Sequence, residues 1–236
     1  MTRKLFKAAF QIKETQGTII ADREQGVKTA ISSIKRNRKA LEDYAKRNPL
    51  FFTVLEPVAA PAEPVVARLM AEAAEKANVG PMAAVAGVLA DLAVEAMIAD
   101  GCRVAVVEDG GEVSAMSDEP VDVALAAGDE PLSKRLGFRL TDFPIGVATS
   151  SGRFSHALSF GEAEAATVFC GNAGLADAAA TAVGNVVKGE DYKVAIEKGL
   201  EVAKSIQGVE GVLILYKGCV GIWGKISQII KVDPLL

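Results

Sequence analysis

The chain has one histidine, one tryptophan and three cysteines in 236 residues, and each scarcity removes a class of chemistry. One histidine and no Cys-x-x-Cys spacing cannot assemble a zinc site. Cys102, Cys170 and Cys219 are odd in number and far apart, so reduced thiols in a cytoplasmic protein are expected rather than a disulfide framework. No Gly-x-Ser-x-Gly elbow occurs, which leaves His156 outside any Ser-His-Asp triad of that kind. No Lys-Ser or Lys-Thr follows the glycine of Thr149–Ser150–Ser151–Gly152, so this turn is not a Walker loop. Uninterrupted apolar runs are lacking too. The alanine-rich stretch 80–99 holds Asp91 and Glu95, which argues against a membrane span, and the N-terminal MTRKLFKAAFQIKETQ has no apolar stretch followed by a cleavage site. A net charge of −4 and a pI near 5.3 disfavour a nucleic-acid surface. The basic run Lys35–Arg36–Asn37–Arg38–Lys39 is expected on the solvated face of an amphipathic helix.

What is present reads as a globular chain, long enough for one large domain or two small ones sharing a core. Residues 5–13 and 18–21 predict a hairpin, and 24–47 an amphipathic helix ending before Asn48–Pro49. Residues 51–55 are read as a strand or a buried clamp, and the proline-bearing segment 57–64 as a rigid connection. Helices are predicted over about 65–77, 81–99 and 192–206, with a helix carrying Asp177 after the strand 165–170. Strands are predicted over 103–108, 112–116, 121–127, 143–149, 155–160, 165–170, 211–216, 220–223 and 225–232. Helices and strands fall in blocks and hairpins rather than in strict alternation, which predicts an α+β fold with a largely antiparallel sheet.

The richest stretch is Ala148–Val187. It joins a hydroxyl-rich turn, the only histidine and a helix carrying Asp177, Thr181 and Asn185 at successive four-residue steps. On a helix those steps stack side chains about 40° apart, one turn above the next. No Lys or Glu lies between Asn172 and Val187, and Ala173, Gly174, Ala178, Ala180 and Gly184 flank the stripe. The stripe is therefore expected to face a protected pocket, although polar residues on a helix are more often caps or surface groups. A carboxylate and a hydroxyl one turn apart suit Mg²⁺, which prefers oxygen ligands and retains waters. Asp91 and Glu95 form a second acidic stripe that either faces water or enlarges such a site. The paired glycines of Glu108–Asp109–Gly110–Gly111–Glu112 are either a plain hairpin turn or a backbone cradle for phosphate. His156, the one group titrating near neutrality, is either a structural histidine or a proton shuttle. Trp223 is expected in the core.

Five segments then act together: VGPMAAVAGVLAD (79–91), VEDGGEV (107–113), TSSGRFSHALSFGEA (149–163), LADAAATAVGN (175–185) and GVLILYKGCVGIWGKI (211–226). In this order they resemble the ApbE-like superfamily, whose characterised members are FAD:protein FMN transferases, and within it an uncharacterised ApbE-related family. The resemblance spans nearly the whole chain. It implies a T-fold-like α+β architecture, with antiparallel sheets packed against helices. It also implies a single domain over residues 1–236, with a hairpin-helix segment of about residues 1–56 packed on the remainder. In the transferases Ala-Asp-Ala-x-x-Thr supplies Mg²⁺ ligands, and Asp177 and Thr181 match those positions. Their Thr-Ser-Gly turn matches Thr149, Ser150, Ser151 and Gly152, and their Gly-Gly-Asp turn matches Gly110, Gly111 and Glu112, which the resemblance marks as cofactor-binding. Two departures stand out: Val85–Ala86–Gly87–Val88 replaces Ala-Lys-Gly-Tyr, and Ser155–His156–Ala157–Leu158–Ser159 lacks the Asp-Pro that follows Ser-His in the transferases.

The expected function is a Mg²⁺-assisted site for a phosphate-bearing small molecule such as FAD or another nucleotide. Asp177 and Thr181 hold the metal, His156 and Asp177 are the catalytic candidates, and Thr149–Gly152 seats the phosphate. The alternative is a non-catalytic binding or assembly protein that keeps the fold without FMN transfer. A small-molecule ligand is the expected partner; nucleic acid and membrane are not expected, and a homodimer is left open.

Overall fold

A computed structural model describes residues 3–13, 15–124, 136–152 and 160–231. Strands β1 (Phe6–Ile12) and β2 (Thr15–Ala21) form the first hairpin, which leads into α1 (Glu24–Arg47). Helix α1 buries Val27, Ala30, Ile34, Leu41 and Ala45 at three- and four-residue steps, and ends with Lys46 and Arg47 in its last turn, where cations oppose the helix dipole. The strand expected over 51–55 is instead the helical turn α2 (Leu50–Thr53). Phe51 is buried there with its ring 5.1 Å from Tyr44, edge to face, so the clamp exists in helical form.

Helix α3 (Val65–Ala77) follows, then a 3-10 turn Pro81–Ala84 that runs directly into α4 (Val85–Ala99). Beyond it come β3 (Val104–Asp109), β4 (Glu112–Ser117), β5 (Val121–Ala124), β6 (Leu136–Leu140), β7 (Ile145–Ser150) and β8 (Ala165–Cys170). Helices α5 (Ala173–Val186) and α6 (Tyr192–Ser205) precede β9 (Val209–Tyr216), β10 (Cys219–Gly224) and β11 (Gln228–Lys231). Strand β6 is an addition to the expected set. The strand expected over 155–160 falls almost wholly on residues 153–159, which lie outside the described residues.

An eight-stranded sheet in the order β1-β2-β3-β4-β7-β8-β9-β10 is antiparallel throughout, and a second sheet has the order β11-β6-β5. The fold is α+β, with antiparallel sheets packed against helices, as expected. The last segment leaves the large sheet at Gly224, whose φ of +74° suits glycine, and β11 then pairs with β6.

Layering explains the buried strands. On β3, Val104 and Val106 pack towards the small sheet, whereas Ala105 and Val107 pack beneath α1 and α4. On β8, Ala165 and Phe169 face Phe138 of the small sheet, while Ala166, Val168 and Cys170 face α5 and α6. Strands buried on both faces lose the polar alternation of half-exposed ones. Segment Pro81–Ala99 is long and apolar enough to cross a membrane by length and composition. Here its apolar side chains Val88, Leu89, Val94 and Met97 are covered by protein.

Candidate functional site

Two helix N-termini meet at the centre of the molecule, and each is capped by a carboxylate from the other helix. An α-helix leaves its first N–H groups without internal partners. Neither Ala84, the residue before α4, nor any side chain beside it caps that end. Asp177, on the second turn of α5, does so: its Oδ2 accepts from the Gly87 N–H at 3.0 Å. Reciprocally, Asp91 on α4 accepts from Ala173 N–H at 2.9 Å and Gly174 N–H at 2.8 Å, and also from the Ser114 hydroxyl at 2.7 Å. Asn172 completes the α5 cap by accepting from Leu175 N–H at 2.9 Å. Small residues make the crossing close enough: a Cβ on Gly87 would stand 2.2 Å from the Ala173 carbonyl oxygen.

Asp91 and Glu95 therefore do not form one solvated stripe. Asp91 is half-buried and engaged by three donors, while Glu95 is exposed one turn along α4.

Beside this joint lies a group of carboxylates short of positive charge. Asp109 is 3% exposed, and burial together with the neighbouring Glu108 pushes its carboxyl up to about 7, with Arg38 opposing the shift. Its Oδ2 is buried without a hydrogen-bond partner. Burial, with Asp177 and Asp109 nearby, raises the Glu112 carboxyl well above the usual carboxylate range. Burial, reinforced by Asp109 and Asp91, also raises Asp177 against the Gly87 and Ala86 N–H groups that hold its charged form. Thr181, one turn beyond Asp177, is half-buried, and among the described residues no group holds its hydroxyl. The donor set suits Mg²⁺ in kind, being all oxygen with uncompensated negative charge. Among the described residues no three His, Cys, Asp or Glu side chains converge as metal ligands, so a metal here would keep water in most of its coordination positions.

The remaining candidates divide by place. Gly110 and Gly111 turn between β3 and β4, with the Gly111 N–H donating to Glu108 at 2.9 Å. They edge a shallow 660 Å³ hollow shared with Phe10 and Gly17 of the first hairpin. Thr149 and Ser150 end β7 and Ser151 is buried; the Thr149 and Thr167 hydroxyls are 2.9 Å apart. Ser150 lies against Gly184 of α5, and a Cβ on Gly161 would stand 1.8 Å from the Gly184 carbonyl oxygen. Asn185 accepts from the Phe160 N–H at 2.9 Å. The α5 stripe is thus engaged at both ends: Asp177 caps a helix and Asn185 fixes the chain beside the turn. His156 lies outside the described residues.

Two participants are not legible in the sequence. Asp109 sits in the acidic run 108–112, but its burial depends on strand pairing. Arg38, expected on a solvated face, is half-buried and reaches Thr15 and Glu42. Cys102 and Cys170 are buried, and burial pushes the Cys170 thiol up to about 12; Cys219 is only half-buried. Trp223 packs partly buried against the helical core.

A family model described as AbpE bacteria matches residues 2–209. The UPF0280 protein of Methanosarcina acetivorans is 40% identical over 234 residues, covering 98% of this chain and 91% of that protein. The UPF0280 protein of Methanocaldococcus jannaschii is 40% identical over 233 residues, covering 97% and 94%. Among solved structures, the flavinyl transferase ApbE of Pseudomonas stutzeri in its apo form superposes with a TM-score of 0.62 at 15% identity, over 94% of both chains. The ApbE protein of Thermotoga maritima gives 0.58 at 13% identity, over 94% of this chain and 97% of that one. At such identities the likeness speaks for the fold.

Proposed function

The chain belongs to the AbpE bacteria family, and from that membership we propose that it binds a phosphate-bearing small molecule, a flavin or another nucleotide, with the help of Mg²⁺. The observation that carries this reading is the buried Asp109–Glu112–Asp177 group, with its orphaned Asp109 oxygen and raised carboxyls. Carboxylates crowded in this way are relieved by a cation. Asp177 and Thr181 would hold Mg²⁺, and Glu112 would add negative charge beside it. The ion supplies a bridge to phosphate oxygens and neutralises their charge. Thr149, Ser150 and Ser151 would offer hydroxyls to the phosphate, with Gly152 closing the turn by its N–H to the Ala163 carbonyl at 3.0 Å. Gly110 and Gly111 let the ligand approach the backbone closely, and His156 is the candidate for moving a proton.

One observation favours binding without transfer. Where the transferases carry a lysine and an aromatic residue, this chain has Ala86 and Val88, and Gly87 and Val88 are buried against the first turn of α5. No large side chain from this turn is available to grip a flavin ring.

Flavin fluorescence titration with FAD, with and without Mg²⁺, tests the reading. Wild type is expected to bind FAD more tightly with Mg²⁺. Asp177→Asn, which keeps an acceptor for Gly87, is expected to bind equally in both conditions. Equal FAD affinity with and without Mg²⁺ in wild type would sink the proposal. Release of AMP from FAD in the same mixture would favour transfer over binding alone.

A further inference from the structure

A second cavity of 630 Å³ lies between α3, α4 and the first turn of α5. It opens by Ser114–Met116 of β4 and by Pro144 and Ile145 of β7. Glu112 and the Thr149–Gly152 turn occupy the opposite ends of those two strands, so this space is separate from the site proposed above. Its volume falls within the range of about 300–1,000 Å³ common to small-molecule pockets.

The lining selects the ligand. Leu69, Val94, Ile98, Ile145 and Leu175 give it apolar walls, and among the described residues none of its lining is aromatic, so those walls offer a nucleobase or flavin ring nothing to stack on. Among the described residues, charge comes from two elements: α3 contributes Glu72 and Lys76, and α4 contributes Asp91 and Glu95. Asp91 is already spanned by three donors. Glu72 and Lys76 are four residues apart in the order that favours a helical ion pair, yet among the described residues Glu72, Lys76 and Glu95 form no ion pair or hydrogen bond. Burial and the nearby Asp91 push the Glu95 carboxyl upward, as expected for an anion lacking a counter-charge. The balance is negative, and Lys76 on the lining would repel a second positive end.

We propose that this cavity binds a small organic monocation, an ammonium head on an apolar body, with the head between Glu95 and Glu72 and the body along the aliphatic walls. The ammonium would donate charge-assisted hydrogen bonds to the carboxylates, and the alkyl chain would replace water on the apolar surface.

Isothermal titration of the whole protein at pH 7 with n-hexylamine, n-hexanol and hexanoate tests this, with no Mg²⁺ or nucleotide present. Hexylammonium is expected to bind saturably, with hexanol and hexanoate weaker by about tenfold or more. Glu95→Gln is expected to weaken hexylammonium binding about tenfold. Ala99→Trp, at an exposed position on the cavity lining, is expected to block it while circular dichroism confirms the fold. Absence of saturable hexylammonium binding overturns the proposal. So does equal affinity for hexanol, or unchanged affinity in both variants. None of these results bears on the Mg²⁺ site.

Discussion

Replacing Asp91 by alanine tests the reciprocal caps most directly. The substitution strips the acceptor from Ala173 N–H, Gly174 N–H and the Ser114 hydroxyl at one stroke. Each stranded N–H costs about 1–3 kcal/mol when water cannot reach it, and loss of a helix cap alone costs about 0.5–2 kcal/mol. Two effects moderate the sum. The Ser114 hydroxyl can rotate to another acceptor, and the adjoining cavity admits water to the two N–H groups. Burial also raises the Asp91 carboxyl, so the native charge carries a desolvation penalty that alanine removes. A net loss of about 2–4 kcal/mol is expected. For a chain of this size that corresponds to a fall in Tm of about 4–16 °C. Asp91→Asn keeps an oxygen for one N–H but turns an amide N–H₂ towards the other donor, and should lose roughly half as much. Urea denaturation followed by far-ultraviolet circular dichroism measures both variants. A loss below about 0.5 kcal/mol for Asp91→Ala would refute the reasoning, because the cap would then be replaceable by solvent at no cost.

Asp109 is raised in the folded state from an ordinary aspartate value to about 7. A carboxyl raised on folding holds its proton more tightly in the native state, so its contribution to stability is greatest below pH 4 and declines as pH rises towards 7. Unfolding free energy should therefore fall across that window, and Asp109→Asn should flatten the slope; identical slopes in the two proteins would count against the buried charge. Gly87→Ala should destabilise by about 2 kcal/mol or more despite alanine's better helix propensity, because the new methyl meets the Ala173 carbonyl oxygen. A thermal melt no lower than wild type would show that α4 and α5 can part there without cost. Thiol titration of the native protein should find Cys219 reacting first, with Cys102 and Cys170 reacting only on unfolding.

The sequence was most informative where local pattern decides the outcome. Helices α1, α3 and α6 and the β3–β4 hairpin stand where periodicity and turn residues put them, because neighbours a few positions apart determine those elements. Of the two readings open for residues 51–55 the clamp holds and the strand does not, although Phe, Thr and Val suit a strand. The helical turn there follows from Phe51 docking on Tyr44, which composition does not reveal. Strand β6 is short, and its sequence LGFRL becomes a strand only through partners at residues 121–124 and 228–231. The site divides in the same way. Asp177 and Thr181 were legible from spacing within one helix, but the role of Asp91 depends on N–H groups 82 and 83 residues away. Nothing local to Asp91 distinguishes a cap for a distant helix from a solvated acid.

Because α4 and α5 each finish the other's first turn, neither can fray alone. Opening the start of α5 releases Asp91 from its donors, and shifting α5 withdraws Asp177 from Gly87. The pair behaves as one cooperative unit spanning residues 85–186 of the chain, although most contacts of an ordinary helix terminus are local. In native-state hydrogen exchange the amides of Gly87, Ala173 and Gly174 would exchange with a common opening free energy close to that of global unfolding, where helix-end amides ordinarily exchange by fraying.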